Sequence, residues 1–80
     1  MTDRSLRPDV RNPVLALPSA VDLANLPPEA REALAAILKD IRVSAHAKAQ
    51  ESWRKNKGPM AVYWKAVGAY ATHIYRAVRP

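Results

Sequence analysis

The chain contains no cysteine and no phenylalanine, and only two glycines among its 80 residues. Without cysteine there is neither a disulfide to staple the fold nor a thiolate nucleophile, a usage compatible with a reducing compartment. Two isolated glycines exclude a Gly-rich nucleotide loop. A long apolar run is also missing. The most apolar stretch, Met60 to Val78, is interrupted by Lys65, His73 and Arg76 and makes a poor membrane span. Met1 to Arg11 is polar and lacks the apolar segment of a secretory signal, so a cytoplasmic location is expected. No repeat or low-complexity tract is present. Catalysis also finds little footing. His46 and His73 fall on different expected helices, and Asp40 and Glu51 show no metal-ligand or acid–base spacing. A non-enzymatic protein without metal or cofactor is expected.

The last absence is one of charge. Residues 53–80 carry no Asp or Glu, yet hold Arg54, Lys55, Lys57, Lys65, Arg76 and Arg79. All seven acidic residues lie in 1–52, where seven Lys/Arg balance them, so the formal charge of +6 belongs to the last 28 residues. Every aromatic residue lies there too: Trp53, Tyr63, Trp64, Tyr70 and Tyr75. Cations interleaved with rings are a footprint of anion binding. They are equally what a cationic helix with a large-residue core face would show.

What the chain does have is helix-forming composition, rich in alanine and poor in strand formers. Residues 1–18 read as an extended arm, because Pro8, Pro13 and Pro18 each bias the preceding residue away from helix. Val14, Leu15 and Leu17 are expected to lie against a helix of this chain or of a partner. Ser19-Ala20-Val21-Asp22 has capping-box spacing and predicts one helical turn over Ala20 to Ala24. Pro27-Pro28-Glu29 then opens a long helix running to about Lys55. Its apolar stripe comprises Ala30, Leu34, Ile37, Leu38, Ile41 and Ala45. Asn56-Lys57-Gly58-Pro59 is the clearest punctuation, with Gly58 suited to the left-handed position and Pro59 to the next helix start. A second helix over 59–78 gathers Met60, Tyr63, Trp64, Val67, Tyr70, Ala71, Ile74, Tyr75 and Val78 into an arc of about 140°.

The fold class expected is therefore all-α. An antiparallel helical hairpin (about 28–55 and 59–78) follows an extended Pro-containing arm (1–18), and residues 19–80 form a single domain. Two helices cannot cover the aromatic stripe on both sides, so dimerisation is expected to complete the fold.

Two groups of basic residues are candidate anion ligands. Arg54, Lys55 and Lys57 meet at the tip beside the free N–H groups that open the second helix. Lys65, Arg76 and Arg79 line the opposite face of that helix from its rings. Favourable placement at helix C-termini would account for several of them without any ligand. Trp53, Tyr63, Trp64, Val67, Tyr70 and Ile74 are the candidate protein interface, and Trp53, off any clean stripe, is the ring best placed to act beside cations. The leading expectation is a small accessory or regulatory protein that binds nucleic acid through the tip and the basic face of the second helix. The alternative is a phage-type or bacterial adaptor, inhibitor or assembly protein that binds an acidic protein surface through its aromatic stripe and arm. A homodimer is expected and a membrane partner is not.

Overall fold

The computed structural model describes residues 12–79. They form a 3₁₀ turn, Pro13–Ala16, and three α-helices: α1 (Ser19–Ala24), α2 (Pro28–Arg54) and α3 (Gly58–Val78). Among the described residues there is no strand. The two long helices pack against each other. Arg31 reaches the end of α3 while Ala45 meets Gly68, so α3 returns along α2.

The helix boundaries follow from proline and from one unusual backbone conformation. Pro27 takes the N-cap of α2 in an extended conformation and Pro28 follows at the first helical position, where no N–H is needed. At the far end Asn56 adopts φ 57°, the left-handed region. The Asn56 N–H donates to the Trp53 carbonyl (3.1 Å) and the Lys57 N–H to the Ser52 carbonyl (2.8 Å). That is a Schellman closure, which satisfies two carbonyls that the end of a helix would otherwise leave open. Gly58, expected to take the left-handed position, has negative φ and is instead the first residue of α3. Asparagine accounts for the exchange, because its short polar side chain makes it the residue after glycine best tolerated at such a φ.

The seam between α2 and α3 is built from small side chains. Six of the eight buried apolar residues are alanines (Ala20 on α1; Ala35, Ala45, Ala61, Ala71 and Ala77 on the two long helices), and only Leu38 and Val78 are larger. A methyl group placed on Gly68 would stand 3.8 Å from Ala45 Cβ and 3.9 Å from the Arg42 carbonyl oxygen, so the helices approach closely there. Towards the open end the core widens. Ala35, Leu38, Ala71 and Val78 cluster there, with Leu23, Leu26, Leu34, Ile74 and Tyr75 packed around them. The 3₁₀ turn and α1 lie against α3, and buried Asn12 fastens them by donating from Nδ2 to the His73 carbonyl at 2.8 Å. The Arg31 guanidinium holds the other loose end, donating to the carbonyls of Val78 (3.0 Å) and Arg79 (2.8 Å).

Several expectations differ from this picture. Of the arm, residues 1–11 lie outside the described residues, and 12–18 coil into the 3₁₀ turn rather than running extended. Ser19 is the first residue of α1, whose N-cap is Pro18 without a side-chain cap bond. The expected apolar stripes are only partly buried: Ile37, Ile41, Met60, Tyr63 and Tyr70 are exposed, while Leu34, Trp64, Val67, Ile74 and Tyr75 are half-buried. The reason is geometric. Each long helix has one long neighbour, which covers only one edge of its apolar arc, and the close seam takes in Ala35, Ala61 and Gly68 from outside the expected stripes. The large side chains flank the seam and stay outside.

Candidate nucleic-acid interface

The described residues measure 41 × 40 × 17 Å, and this flat shape presents two broad faces of different chemistry. On one, α2 contributes Lys39, Arg42, His46 and Gln50, a row spaced by three and four residues and therefore on one flank of the helix. From α3, Lys65, Thr72, Arg76 and Arg79 face them. Lys39, Arg42, Arg76 and Arg79 line a shallow hollow with Leu38, Thr72 and Tyr75. Nearer the turn, His46, Gln50, Trp53, Arg54 and Lys65 line a second with Ala49, Ala61 and Val62. No carboxylate lines either hollow. Glu32, seven residues before Lys39, follows the same helical period and bounds the basic row at the open end.

The floor of this face is low because of the alanine seam. Gly68 and Ala61 carry little side chain, and the Thr72 hydroxyl is turned down to donate to the Gly68 carbonyl at 2.9 Å. The cations therefore stand as two rows above a shallow trough. His46 and Gln50 touch along the rim, with Nε2 atoms 3.2 Å apart. Lys65 on α3 and Arg79 at its C-cap, fourteen residues apart, span about 21 Å.

The tip divides. Arg54, Lys55 and Lys57 are all exposed, but they do not form one node. Arg54 opens onto the basic face beside the 68%-exposed Trp53. Lys55 turns to Glu51, its Nζ donating to Oε1 at 2.9 Å. That bond, with the charges of Lys55, Lys48 and Arg54, holds the Glu51 carboxyl below the ordinary carboxylate range. Lys57 closes the turn through its backbone N–H.

The opposite face is apolar. Ile37, Ile41, Trp64 and Val67 line a hollow with Ser44 and Ala45, and Asp40 and Lys48 stand at its edge. The Tyr63 and Trp64 rings meet edge to face, with centroids 5.0 Å apart and planes at 76°. Ile74, further along, is covered by Leu23, Leu26 and Val14 of the N-terminal turn and helix. Of the six candidate interface residues, Tyr63, Trp64, Val67, Tyr70 and Ile74 thus belong to the apolar side and Trp53 to the basic side.

Lys39, Arg42 and His46 are absent from the candidates read from sequence. Along the chain they alternate with Asp40 and Glu32, which hides their excess. Counting at the helical period would have found Lys39, Arg42, His46 and Gln50 as one row. Among the described residues no group of three or more His, Cys, Asp or Glu could hold a metal ion, and no helix is long and apolar enough to cross a membrane. Comparison with protein-family models, with curated proteins and with solved structures finds no match to this chain.

Proposed function

We propose that this chain is a small, non-enzymatic, cytoplasmic accessory or regulatory protein, of bacterial or phage type, that binds the backbone of nucleic acid. The observation that carries the reading is the joining of Lys39 and Arg42 with Arg76 and Arg79 around one hollow without a carboxylate, continued by Lys65 and Arg54 towards the tip. The basic groups of this face extend over about 21 Å along α3, long enough to meet several phosphates of a strand. Trp53, exposed beside Arg54, supplies a surface on which an unpaired base can stack.

Fluorescence anisotropy with a short labelled duplex tests this across a salt series. Five engaged cations give a slope of log affinity against log salt of about −4.5. Replacing Lys39, Arg42 and Arg76 with glutamine should reduce that slope by about three, one for each lost phosphate contact. Absence of salt-sensitive binding to duplex and single strand at low salt would sink the reading.

The mixture of Trp53 and Val62 with Arg54 and Lys65 in the second hollow favours one alternative, an acidic protein surface that brings an apolar anchor. In that case Trp53→Ala should weaken binding at least as much as loss of Arg54, with nucleic acid unable to compete.

A further inference from the structure

The apolar face has a symmetry of its own, independent of the anion bound opposite. Asp40 and Lys48 stand four residues either side of Ser44 at the edge of the apolar hollow. Both are exposed. Tyr63 and Tyr70, also exposed, straddle Val67 on the neighbouring helix. The Ala45–Gly68 approach places those two residues level along the pair. Ser44 and the midpoint of the two tyrosines then lie within about one helical turn of each other along the pair. A two-fold axis lying across both helices at that level exchanges Asp40 with Lys48 and Tyr63 with Tyr70.

We infer that this face is the interface of a homodimer in which α2 lies antiparallel on α2 and α3 on α3, with Asp40 of each copy opposite Lys48 of the other. Charge complementarity selects a second copy as the occupant. Oppositely charged residues two turns apart on one helix pair with each other under a two-fold axis, whereas a parallel stacking of copies opposes like charges. A closed isologous contact also explains why large side chains are left outside a seam of alanines: the second layer that a domain needs is the same layer, turned over. The uncovered stretch from Ile37 to Ser52, two helices wide, measures about 22 by 20 Å in projection. That is less than the roughly 800 Å² per partner of a standard interface and suits a weak, reversible dimer. The N-terminal turn and α1 cover the open end around Ile74 and leave this stretch clear.

Sedimentation equilibrium of the full chain, without nucleic acid, tests the inference through charge reversal. Asp40→Lys and Lys48→Asp each place two like pairs across the axis, and each should weaken the dimer by about tenfold or more. The double variant restores opposite charges and should recover most of that loss. Both positions are exposed, so far-ultraviolet circular dichroism should show unchanged helix in every variant. A monomeric wild type even at about 1 mM would overturn the dimer. Single variants that leave association unchanged, or a double variant no better than the singles, would overturn this pairing. Duplex binding by a monomeric Asp40→Lys variant would leave the nucleic-acid reading standing, so the two proposals fail separately.

Discussion

Alanine at position 56 should cost stability that alanine at position 58 does not, although the two sites belong to one turn. Asn56 holds φ 57° and positions two helix-closing bonds, Asn56 N–H to Trp53 and Lys57 N–H to Ser52. A left-handed conformation is unfavourable by about 1–2 kcal/mol for an ordinary L-residue, and asparagine escapes part of this. Asn56→Ala should therefore cost about 1 kcal/mol. Gly58 has negative φ, and apart from its chain neighbours and the helix's own backbone a methyl group there meets nothing within 4 Å. Gly58→Ala restricts the unfolded chain, but Pro59 directly after it disfavours helical backbone in any residue with a Cβ, so the two effects offset and the variant should stay within about 0.5 kcal/mol of wild type. In a domain of this size 1 kcal/mol shifts the midpoint by about 4–8 °C, so Asn56→Ala should melt clearly below wild type and Gly58→Ala close to it. Thermal and urea unfolding followed by circular dichroism, at one fixed protein concentration, provides the comparison. A destabilising Gly58→Ala with a neutral Asn56→Ala would mean that the glycine carries the left-handed turn, and would refute this account of the helix connection.

Three other outcomes are expected. Arg31→Ala removes the donors to the Val78 and Arg79 carbonyls, and should lower stability by about 1–2 kcal/mol and speed amide exchange in the last turn of α3; unchanged exchange there would contradict the clamp. Ala71→Leu forces a large side chain into a site where alanine is only 4% exposed and should cost about 1–3 kcal/mol in urea unfolding, with a neutral result arguing against the close seam. The Glu51 carboxyl, held low first by the hydrogen bond from Lys55, is favoured in its charged form by folding; its small stabilising effect is present above the unfolded-state pKa and lost as pH falls through the lower folded value. A carbon-detected NMR titration should therefore show Glu51 moving back up in Lys55→Gln, and no movement would assign the shift elsewhere.

Helix limits were legible in the sequence because proline acts locally. Pro27-Pro28 and the Asn56–Pro59 stretch mark ends that tertiary contacts had no reason to move, and α2 and α3 fall within one residue of expectation at each end. Which apolar side chains are buried was less legible. Helical periodicity places Tyr63, Tyr70, Ile37 and Ile41 on the apolar arcs, but it says nothing about how much of an arc a neighbour covers. The alanine seam would have required reading Ala35, Ala45, Ala61, Gly68 and Ala71 as contacts rather than as filler. Lys65, Arg76 and Arg79 stood out in a stretch without acids. Their counterparts Lys39 and Arg42 did not, because net charge counted along a chain cancels residues that a helix sends in different directions.

A seam of alanine and glycine has a mechanical consequence. Such side chains surrender no rotamer freedom on packing, but they also form no tall ridges to resist sliding along the helix axis. The height of α3 against α2 is therefore set mainly from the ends, by the Schellman turn at one and the Arg31 clamp at the other. Packed helices can shear by about 1–2 Å. A slide of that size would move Arg76 relative to Lys39 on one face and the tyrosine pair relative to Asp40 and Lys48 on the other, in a single displacement. Under such a slide, a change of spacing on either face of this thin molecule would be matched by one on its reverse.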